Sequence, residues 1–162
     1  MAFTVASNSF KDGDYLGKDL ILSQDFGFGC AGGNTSPHLK WSGAPEGTRS
    51  YAITCYDPDA PTGSGFWHWT VANIPADVTE LPAGGPVPAG AVEGRTDFGE
   101  PGYGGAAPPP GHGPHRYIFT VFAVDEETLP VTPEDSGAKY GFNLHFHTLA
   151  KASITATYEN RG

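Results

Sequence analysis

The sequence has 162 residues, including 23 glycines and 15 prolines, and its formal net charge is −9 at pH 7. This length is typical of a single domain, here spanning 1–162. Because the net charge is strongly negative, the chain is not expected to bind nucleic acid or an anionic membrane surface. The hydrophobic content of 38% and aromatic content of 12% exclude disorder and favour a mainly β fold with long loops.

Strand-like segments begin near the N-terminus. Segments 19–22 and 39–41 are short and give only weak strand predictions. The segment 49–56 is stronger, because residues such as Tyr51 and Ile53 recur with the period of two that places alternate side chains on one face. Proline follows two residues later and ends this strand, since proline cannot donate a ladder hydrogen bond.

Two further strands are predicted in the middle of the chain. The segment 66–74 places Trp67 and Trp69 on one face and His68 on the other. The segment 116–125 is apolar at nearly every position. Such a run is typical of a strand buried on both faces, so we expect it to lie at the centre of the sheet.

A long segment rich in glycine and proline, 75–114, separates these two strands. A loop of this length inside one domain is usually either functional or disordered. Its aromatic residues Phe98 and Tyr103 favour an ordered, packed loop.

The last part of the chain predicts helices and a closing strand. Thr132 is a suitable helix N-cap and Pro133 a suitable first helical residue, with acidic residues following. We therefore expect a short helical pair over 133–150 and a weaker strand at 152–158.

Three short stretches carry the polar groups that could form a site. They are Asp57-Pro58-Asp59-Ala60-Pro61, Phe66-Trp67-His68-Trp69 and Gly111-His112-Gly113-Pro114-His115-Arg116-Tyr117. Each has a structural alternative: the aspartates can close a turn, His68 can be a core histidine, and His112 is interpreted as a solvated loop residue. In the third stretch, His115 and Tyr117 share one strand face and offer convergent donors to an oxyanion.

Taken together and in this order, these stretches resemble the phosphatidylethanolamine-binding protein family, in particular its bacterial Raf kinase inhibitor-like branch. The similarity spans nearly the whole chain. Further stretches that carry it are Ser36-Pro37-His38-Leu39-Lys40-Trp41, Gly102-Tyr103-Gly104-Gly105 and His147-Thr148-Leu149-Ala150. The resemblance implies a central antiparallel Greek-key sheet, a smaller second sheet and a pocket at one end of the strands.

The resemblance also implies which residues serve that pocket. The ligand-binding positions are Asp57, His68, Pro110, His115 and Tyr117. Asp59, Pro61, Gly113 and Arg116 are expected to support them, Asp59 by bracing the loop and Arg116 through a structural ion pair. Relatives also suggest a cis peptide bond at Ala60-Pro61, since the cis form costs little free energy only when the bond precedes proline. No catalytic residue, metal or cofactor is assigned.

The function favoured at this stage is non-catalytic binding of a small oxyanion, such as a phospholipid headgroup or another phosphate-bearing molecule, with tighter binding at lower pH. Replacing His115 by alanine is expected to weaken binding without disturbing the fold. The family resemblance adds a regulatory role as an inhibitor of a kinase or a serine protease.

Two other functions remain open from the residues alone. A hydrolase could use Asp57, Asp59, His68 and His115 in metal-assisted or acid–base chemistry. Alternatively, the domain could bind proteins and retain a vestigial pocket. Formation of a homodimer is compatible with the sequence.

The compartment is inferred from what the sequence lacks. Neither a signal-peptide pattern nor a stretch long enough to cross a bilayer is evident, so a cytoplasmic protein without integral membrane association is expected. Cys30 and Cys55 are expected to be free thiols, because two cysteines outside a Cys-x-x-Cys pattern do not form a disulfide framework.

Overall fold

A computed structural model describes residues 2–162, which form eight β-strands and one α-helix. Their bounds are β1 Thr4–Ala6, β2 Leu39–Ser42, β3 Ser50–Asp57, β4 Phe66–Pro75, β5 Glu80–Leu81, β6 Val92–Glu93, β7 His115–Val124, α1 Gly137–His147 and β8 Thr148–Tyr158. The fold is mainly β, as predicted. No helix within 2–162 has the length and apolarity needed to cross a bilayer.

The strands form two antiparallel sheets. The larger sheet has five strands in the order β6-β4-β3-β7-β8, and the smaller has three in the order β1-β2-β5. After the long loop, β7 returns to lie beside β3, which gives the strand order of a Greek key. The predicted pair of sheets is therefore confirmed, and β7 is central as expected.

Alternation along β3 divides the core into two parts. Tyr51 and Ile53 belong to the main core between the two sheets. Ala52, on the opposite face, belongs to a smaller cluster that includes Tyr140 and Leu144 of α1. The five-stranded sheet is thus covered by the small sheet on one face and by the helix on the other.

A β-bulge interrupts the alternation in β4. Cys55 pairs with Trp69 and Tyr56 with Trp67, so His68 is an extra residue without a partner in β3. Trp69 joins the main core, whereas Trp67 packs beside Gly137 of the helix. The prediction that the two tryptophans share a face is therefore wrong, because the bulge reverses the side-chain direction between them.

The weak strand at 19–22 is a second wrong prediction. Residues Lys18–Leu20 form a single 3-10 turn, and Ile21 makes only an isolated bridge with Ala106. A Cβ atom at Gly105 would lie 2.5 Å from the carbonyl oxygen of Leu20. The chain is held here by close backbone approach to the long loop rather than by a regular ladder.

The helix also begins later than predicted. Its N-cap is Ser136, whose side chain accepts a hydrogen bond from the Lys139 amide. Thr132 and Asp135 instead close a preceding turn, in which the Asp135 carboxylate accepts from the Thr132 amide at 2.8 Å. A single helix over Gly137–His147 replaces the predicted pair, because the chain enters β8 directly at Thr148.

The segment 75–114 is ordered, as its aromatic residues predicted. It contains β5 and β6. Its Gly104 amide donates to the His68 carbonyl at 2.8 Å, and Tyr103 Oη donates to the Leu20 carbonyl at 2.7 Å. Phe98 packs against Phe66 and His68 with ring centroids 4.7 and 5.5 Å apart. The loop therefore forms a wall beside β4.

Two glycines of α1 provide a test of how the helix packs on Trp67. A Cβ atom at Gly137 would lie 2.2 Å from Trp67 Cγ, whereas one at Gly141 would lie 3.7 Å from the indole. We expect Gly137→Ala to lower the free energy of unfolding by about 1–3 kcal/mol through overpacking. Gly141→Ala should raise it by up to about 1 kcal/mol through helix propensity. Urea denaturation measures both, and equal effects of the two variants would contradict this packing.

Candidate functional site

A pocket of about 190 Å³ lies at one end of the central strands. We call it the strand-end pocket, because it opens where β3 ends and where β4 and β7 begin. Its lining residues are Phe28, Asp57, Ala60, Pro61, Thr62, Phe66, His68, Phe98, Ala107, Pro109, His115 and Tyr117. Antiparallel pairing brings these three strand ends to one edge of the sheet, so polar residues distant in sequence meet there.

A buried, hydrogen-bonded pair of side chains forms the base of the pocket. His115 Nδ1 lies 2.7 Å from Asp57 Oδ2, and their side chains are only 2% and 3% exposed. The other carboxylate oxygen of Asp57 accepts from the Asp59 amide at 2.7 Å. Asp57 therefore fixes the orientation of the His115 ring while also closing the turn after β3. Removing His115 altogether would leave a buried carboxylate without its partner, which typically costs about 3–5 kcal/mol. The expectation that His115→Ala spares the fold is revised accordingly.

His68 enters the pocket from the β4 bulge. Its Nδ1 lies 2.8 Å from the Gly104 carbonyl and 3.1 Å from that of Gly105, so this nitrogen carries hydrogen and Nε2 is left for the pocket. Burial lowers the pKa of His68, although the two carbonyls and the charge of Asp57 act in the opposite direction. The free ring is accordingly neutral at neutral pH, with an unprotonated Nε2.

Tyr117 brings a hydroxyl group that the rest of the described chain does not use. Its side chain is 1% exposed, and its Oη is buried without a hydrogen-bond partner within residues 2–162. Its ring packs edge-on against His68 at a centroid distance of 5.2 Å. Burial, and then the charge of Asp57, raise the pKa of Tyr117, whereas the nearby Ala107 backbone acts in the opposite direction without engaging the phenolic hydrogen. The phenol thus keeps its proton and presents a donor beside the two imidazoles.

Arg116 points to the opposite face of β7 and braces the turn. Its guanidinium contacts both carboxylate oxygens of Asp59, at 2.9 and 3.0 Å, and its backbone amide donates to Asp59 at 2.9 Å. These hydrogen bonds lower the pKa of Asp59 to about 2. The predicted structural ion pair of Arg116 is therefore present, and neither residue lines the pocket.

The prolines around the pocket differ in part from the expectation. Pro61 lines the wall, but Pro109 does so in place of Pro110, which is exposed in the following turn. Ala60-Pro61 is not cis, since the cis peptide bond found within residues 2–162 is Gly85-Pro86. The Asp57 carboxylate closes the turn with a trans bond.

His112 is the residue that the sequence interpretation missed. It is exposed, as a loop residue should be, yet its Nδ1 lies 2.6 Å from His115 Nε2. The nearby Gly113 has a φ of 90°, a conformation that favours glycine. The spacing His112-x-x-His115 was visible in the sequence, but nothing in it indicated that the loop folds back onto β7.

Aromatic side chains form most of the remaining wall. Phe66 and Phe98 pack around His68, and Phe28, 52% exposed, packs on Phe98 at the rim. Phe28 and Phe98 are far from the three motifs in sequence. Only their aromatic character inside glycine-rich loops could have suggested a role.

Metal-ligating groups converge elsewhere. In the described part of the chain, the grouping whose ligand atoms lie within 4.8 Å of one another is Asp125, Glu126 and His147. It sits beyond the far end of β7, about 30 Å from His115 for a strand of ten residues. The strand-end pocket itself offers imidazoles, a phenol and one carboxylate that is already paired.

Comparison with known proteins identifies the family of this chain. The family model for phosphatidylethanolamine-binding protein matches residues 6–159. The chain belongs to this family. Two relatives come from Escherichia coli strain K12. UPF0098 protein YbcL is 55% identical over 98% of this chain and 88% of its own length, and UPF0098 protein YbhB is 54% identical over 94% of this chain and 97% of its own length.

Solved structures of phosphatidylethanolamine-binding family members share the fold. The crystal structure of Escherichia coli YbcL, described as a member of the mammalian family, superposes with a TM-score of 0.93 at 54% identity and covers 98% of this chain and 99% of that one. The homologue CT736 of Chlamydia trachomatis superposes with a TM-score of 0.83 at 28% identity, covering 98% of both chains. The two-sheet architecture is therefore that of the family.

The unpartnered hydroxyl of Tyr117 leads to a stability prediction for this family member. Because a buried donor without a partner is unfavourable, Tyr117→Phe should leave the free energy of unfolding unchanged or raise it by about 1 kcal/mol. Tyr140→Phe is the matched control, since Tyr140 Oη donates to the Thr132 carbonyl at 2.9 Å. The free energy of unfolding of Tyr140→Phe should fall by about 1 kcal/mol, because this hydrogen bond is lost. Thermal and urea unfolding measure the stability of both variants. A marked loss of stability in Tyr117→Phe would show that the Tyr117 hydroxyl already has a hydrogen-bond partner.

Proposed function

We propose that this protein is a non-catalytic binding protein whose strand-end pocket holds the phosphoryl group, or a similar oxyanion, of a small molecule. The observation that carries the proposal is the buried, unpartnered hydroxyl of Tyr117, which faces a pocket shared with two imidazoles. An oxyanion would accept from this phenol and remove the cost of leaving a buried donor unsatisfied.

The protonation of His68 supports an anionic ligand and predicts how its affinity depends on pH. In the free protein the lowered pKa of His68 keeps Nε2 unprotonated near neutral pH. An anion beside this nitrogen favours the charged imidazolium, so it raises the pKa of His68 and binding takes up a proton. Affinity should therefore rise as pH falls toward the free-state pKa, which lies below its usual value.

The charge of Asp57 makes the same coupling stronger. An anion approaching a pocket with a buried carboxylate is repelled unless a neighbouring imidazole carries the balancing positive charge. His115, 2.7 Å from Asp57, is placed to carry that charge. Protonated His115 and Asp57 then form a neutral pair, beside which an oxyanion no longer meets an uncompensated negative charge.

The dimensions and walls of the pocket limit what can bind. A volume of about 190 Å³ is below the roughly 300–1,000 Å³ of sites that enclose drug-sized ligands. A phosphoryl group with a few attached carbon atoms fits this space, and the rest of a larger ligand would extend past Phe28 at the rim. The headgroup of a phospholipid and a small phosphate ester share this chemistry.

The proposal also suggests how the protein could inhibit a partner enzyme. If the pocket holds a phosphoryl group, a phosphorylated side chain or a phosphate-bearing cofactor of a partner enzyme would compete for it. Inhibition of a kinase or a serine protease would then depend on occupancy of the pocket, and free phosphate would relieve a pocket-dependent inhibition.

An acid–base enzyme is the second candidate, and the Asp57–His115 pair is the observation that favours it. A carboxylate that orients an imidazole is the arrangement of a general base. Two features weigh against nucleophilic catalysis: burial and the charge of Asp57 raise the pKa of the nearby Cys55 thiol, and the Thr62 hydroxyl at the rim already donates to the Gly65 carbonyl. Hydrolysis of p-nitrophenyl phosphate by wild type, with its loss in Asp57→Asn, would favour the enzyme over the binding protein.

The central prediction concerns inorganic phosphate. Wild-type protein should bind phosphate more tightly at pH 6 than at pH 8, and His115→Asn should weaken binding at pH 6 by about tenfold or more, because a charge-assisted hydrogen bond is lost. The asparagine amide can still donate to Asp57, so the buried carboxylate keeps a partner. Calorimetric titration at both pH values gives the affinities.

His145→Ala is the control for this titration. His145 is an exposed histidine of α1 outside the pocket, so the phosphate affinity of this variant should match that of wild type. Equal binding by wild type and His115→Asn, or an affinity that is indifferent to pH, would refute the pocket assignment and favour a vestigial site.

A further inference from the structure

The exposed side chain of His112 contacts the buried side chain of His115. Its amide donates to the Pro109 carbonyl at 3.1 Å, and its ring is exposed. Its Nδ1 nevertheless lies 2.6 Å from Nε2 of His115, a side chain that is 2% exposed. The only ring nitrogen of His115 that Asp57 does not occupy is therefore covered by a second imidazole.

The number of protons on the two rings decides whether this contact can persist. Asp57 accepts from His115 Nδ1, so in neutral His115 the Nε2 atom is an acceptor and His112 must donate from Nδ1. One added proton still leaves a single hydrogen between the two nitrogens. A second added proton places hydrogen on both of them, and the 2.6 Å contact becomes repulsive.

The loop around His112 allows its ring to move away. Gly111 and Gly113 flank the residue with φ values of 75° and 90°, and neither would have an atom within 4 Å of an added Cβ. The two neighbouring residues therefore lie in open space, so the ring can turn outward without displacing β7.

We propose that His112 is a second anion-binding imidazole of the strand-end pocket: the oxyanion replaces the His112–His115 contact and accepts one hydrogen bond from each protonated ring. This inference rests on the proposed function and extends it. Binding then takes up protons at both rings as well as at His68. Without an anion, His112 covers Nε2 of His115.

The fixed charges around the two rings are consistent with this coupling. The charged and titratable groups close to His115 are Asp57, Asp59, His68, Arg116 and Tyr117. The His112 loop also meets the end of the chain, where the Gly111 amide donates to the Asn160 carbonyl between Glu159 and Arg161. Asp59 is paired with Arg116 and Glu159 with Arg161, and Tyr117 stays neutral. Asp57 is thus the one uncompensated charge, and two protonated rings convert a local net charge of one negative unit into one positive unit that attracts an oxyanion.

The test measures proton uptake directly. Inorganic phosphate is titrated calorimetrically into wild type, His112→Ala, His112→Gln and His145→Ala between pH 5.5 and 8.5, in two buffers with different enthalpies of ionisation. His145 is the matched control, being an exposed histidine of α1 outside the pocket. Both His112 variants should take up about one proton fewer than wild type and show a shallower pH dependence.

The affinities separate the two roles of His112. At pH 6, His112→Ala should bind phosphate about tenfold more weakly, since a charge-assisted hydrogen bond is lost. At pH 8.5 it should bind as well as wild type or better, because the cover over His115 is gone. His112→Gln should recover part of the affinity at pH 6 without recovering the proton, and His145→Ala should match wild type.

The outcomes distinguish a failure of the proposed function from a failure of the inference about His112. If wild type does not bind phosphate, or if His115→Asn binds it equally well, the proposed function fails and this inference fails with it. If wild type binds and His115→Asn does not, but His112→Ala keeps the proton uptake and pH dependence of wild type, His112 is only a loop residue. The proposed function would then stand alone.

Discussion

The buried pair between Asp57 and His115 is the interaction on which the site depends. It connects the end of β3 to the beginning of β7 through side chains, at the edge where the backbone ladder between these strands stops. Buried ion pairs are weak contributors to stability compared with apolar packing, while an unpaired buried charge is strongly unfavourable. The pair therefore constrains the fold without adding much to its stability.

The overall acidity of the protein is compatible with the proposed anion pocket. Asp59 is paired with Arg116, and exposed charges farther away are screened by salt. The electrostatic character of the pocket is then determined by the protonation of its imidazoles. Under the proposed function, affinity for an anion depends on pH as well as on residue type.

The sequence predicted the parts of the fold that depend on regular periodicity. Alternation identified β3, and the uniformly apolar run identified β7 as central. It failed where a single contact overrides the pattern: the bulge at His68, the close approach of Gly105 to Leu20, and the Asp135 side chain that closes a turn at the expected helix start. Each of these depends on a neighbour distant in sequence.

The residues of the site also divide into those that the sequence could predict and those that it could not. His115 and Tyr117 were placed together by the period of two, and Asp57 and His68 by resemblance to a family. Pro109, Phe98 and His112 were not, because their positions depend on the path of long loops. Loop geometry is set by tertiary contacts, so a residue such as His112 is assigned to a site only when the fold is known.

The bulge in β4 has a consequence for how this protein can vary. The extra residue allows His68 and Trp69 to face the same side of the sheet, while Trp67 lies against the glycines of the helix. Deleting one residue here would restore regular alternation, and in doing so would take the imidazole from the pocket or the indole from the helix. Among related chains that keep both the pocket and the helix contact, the number of residues from Trp67 to Val71 should be invariant.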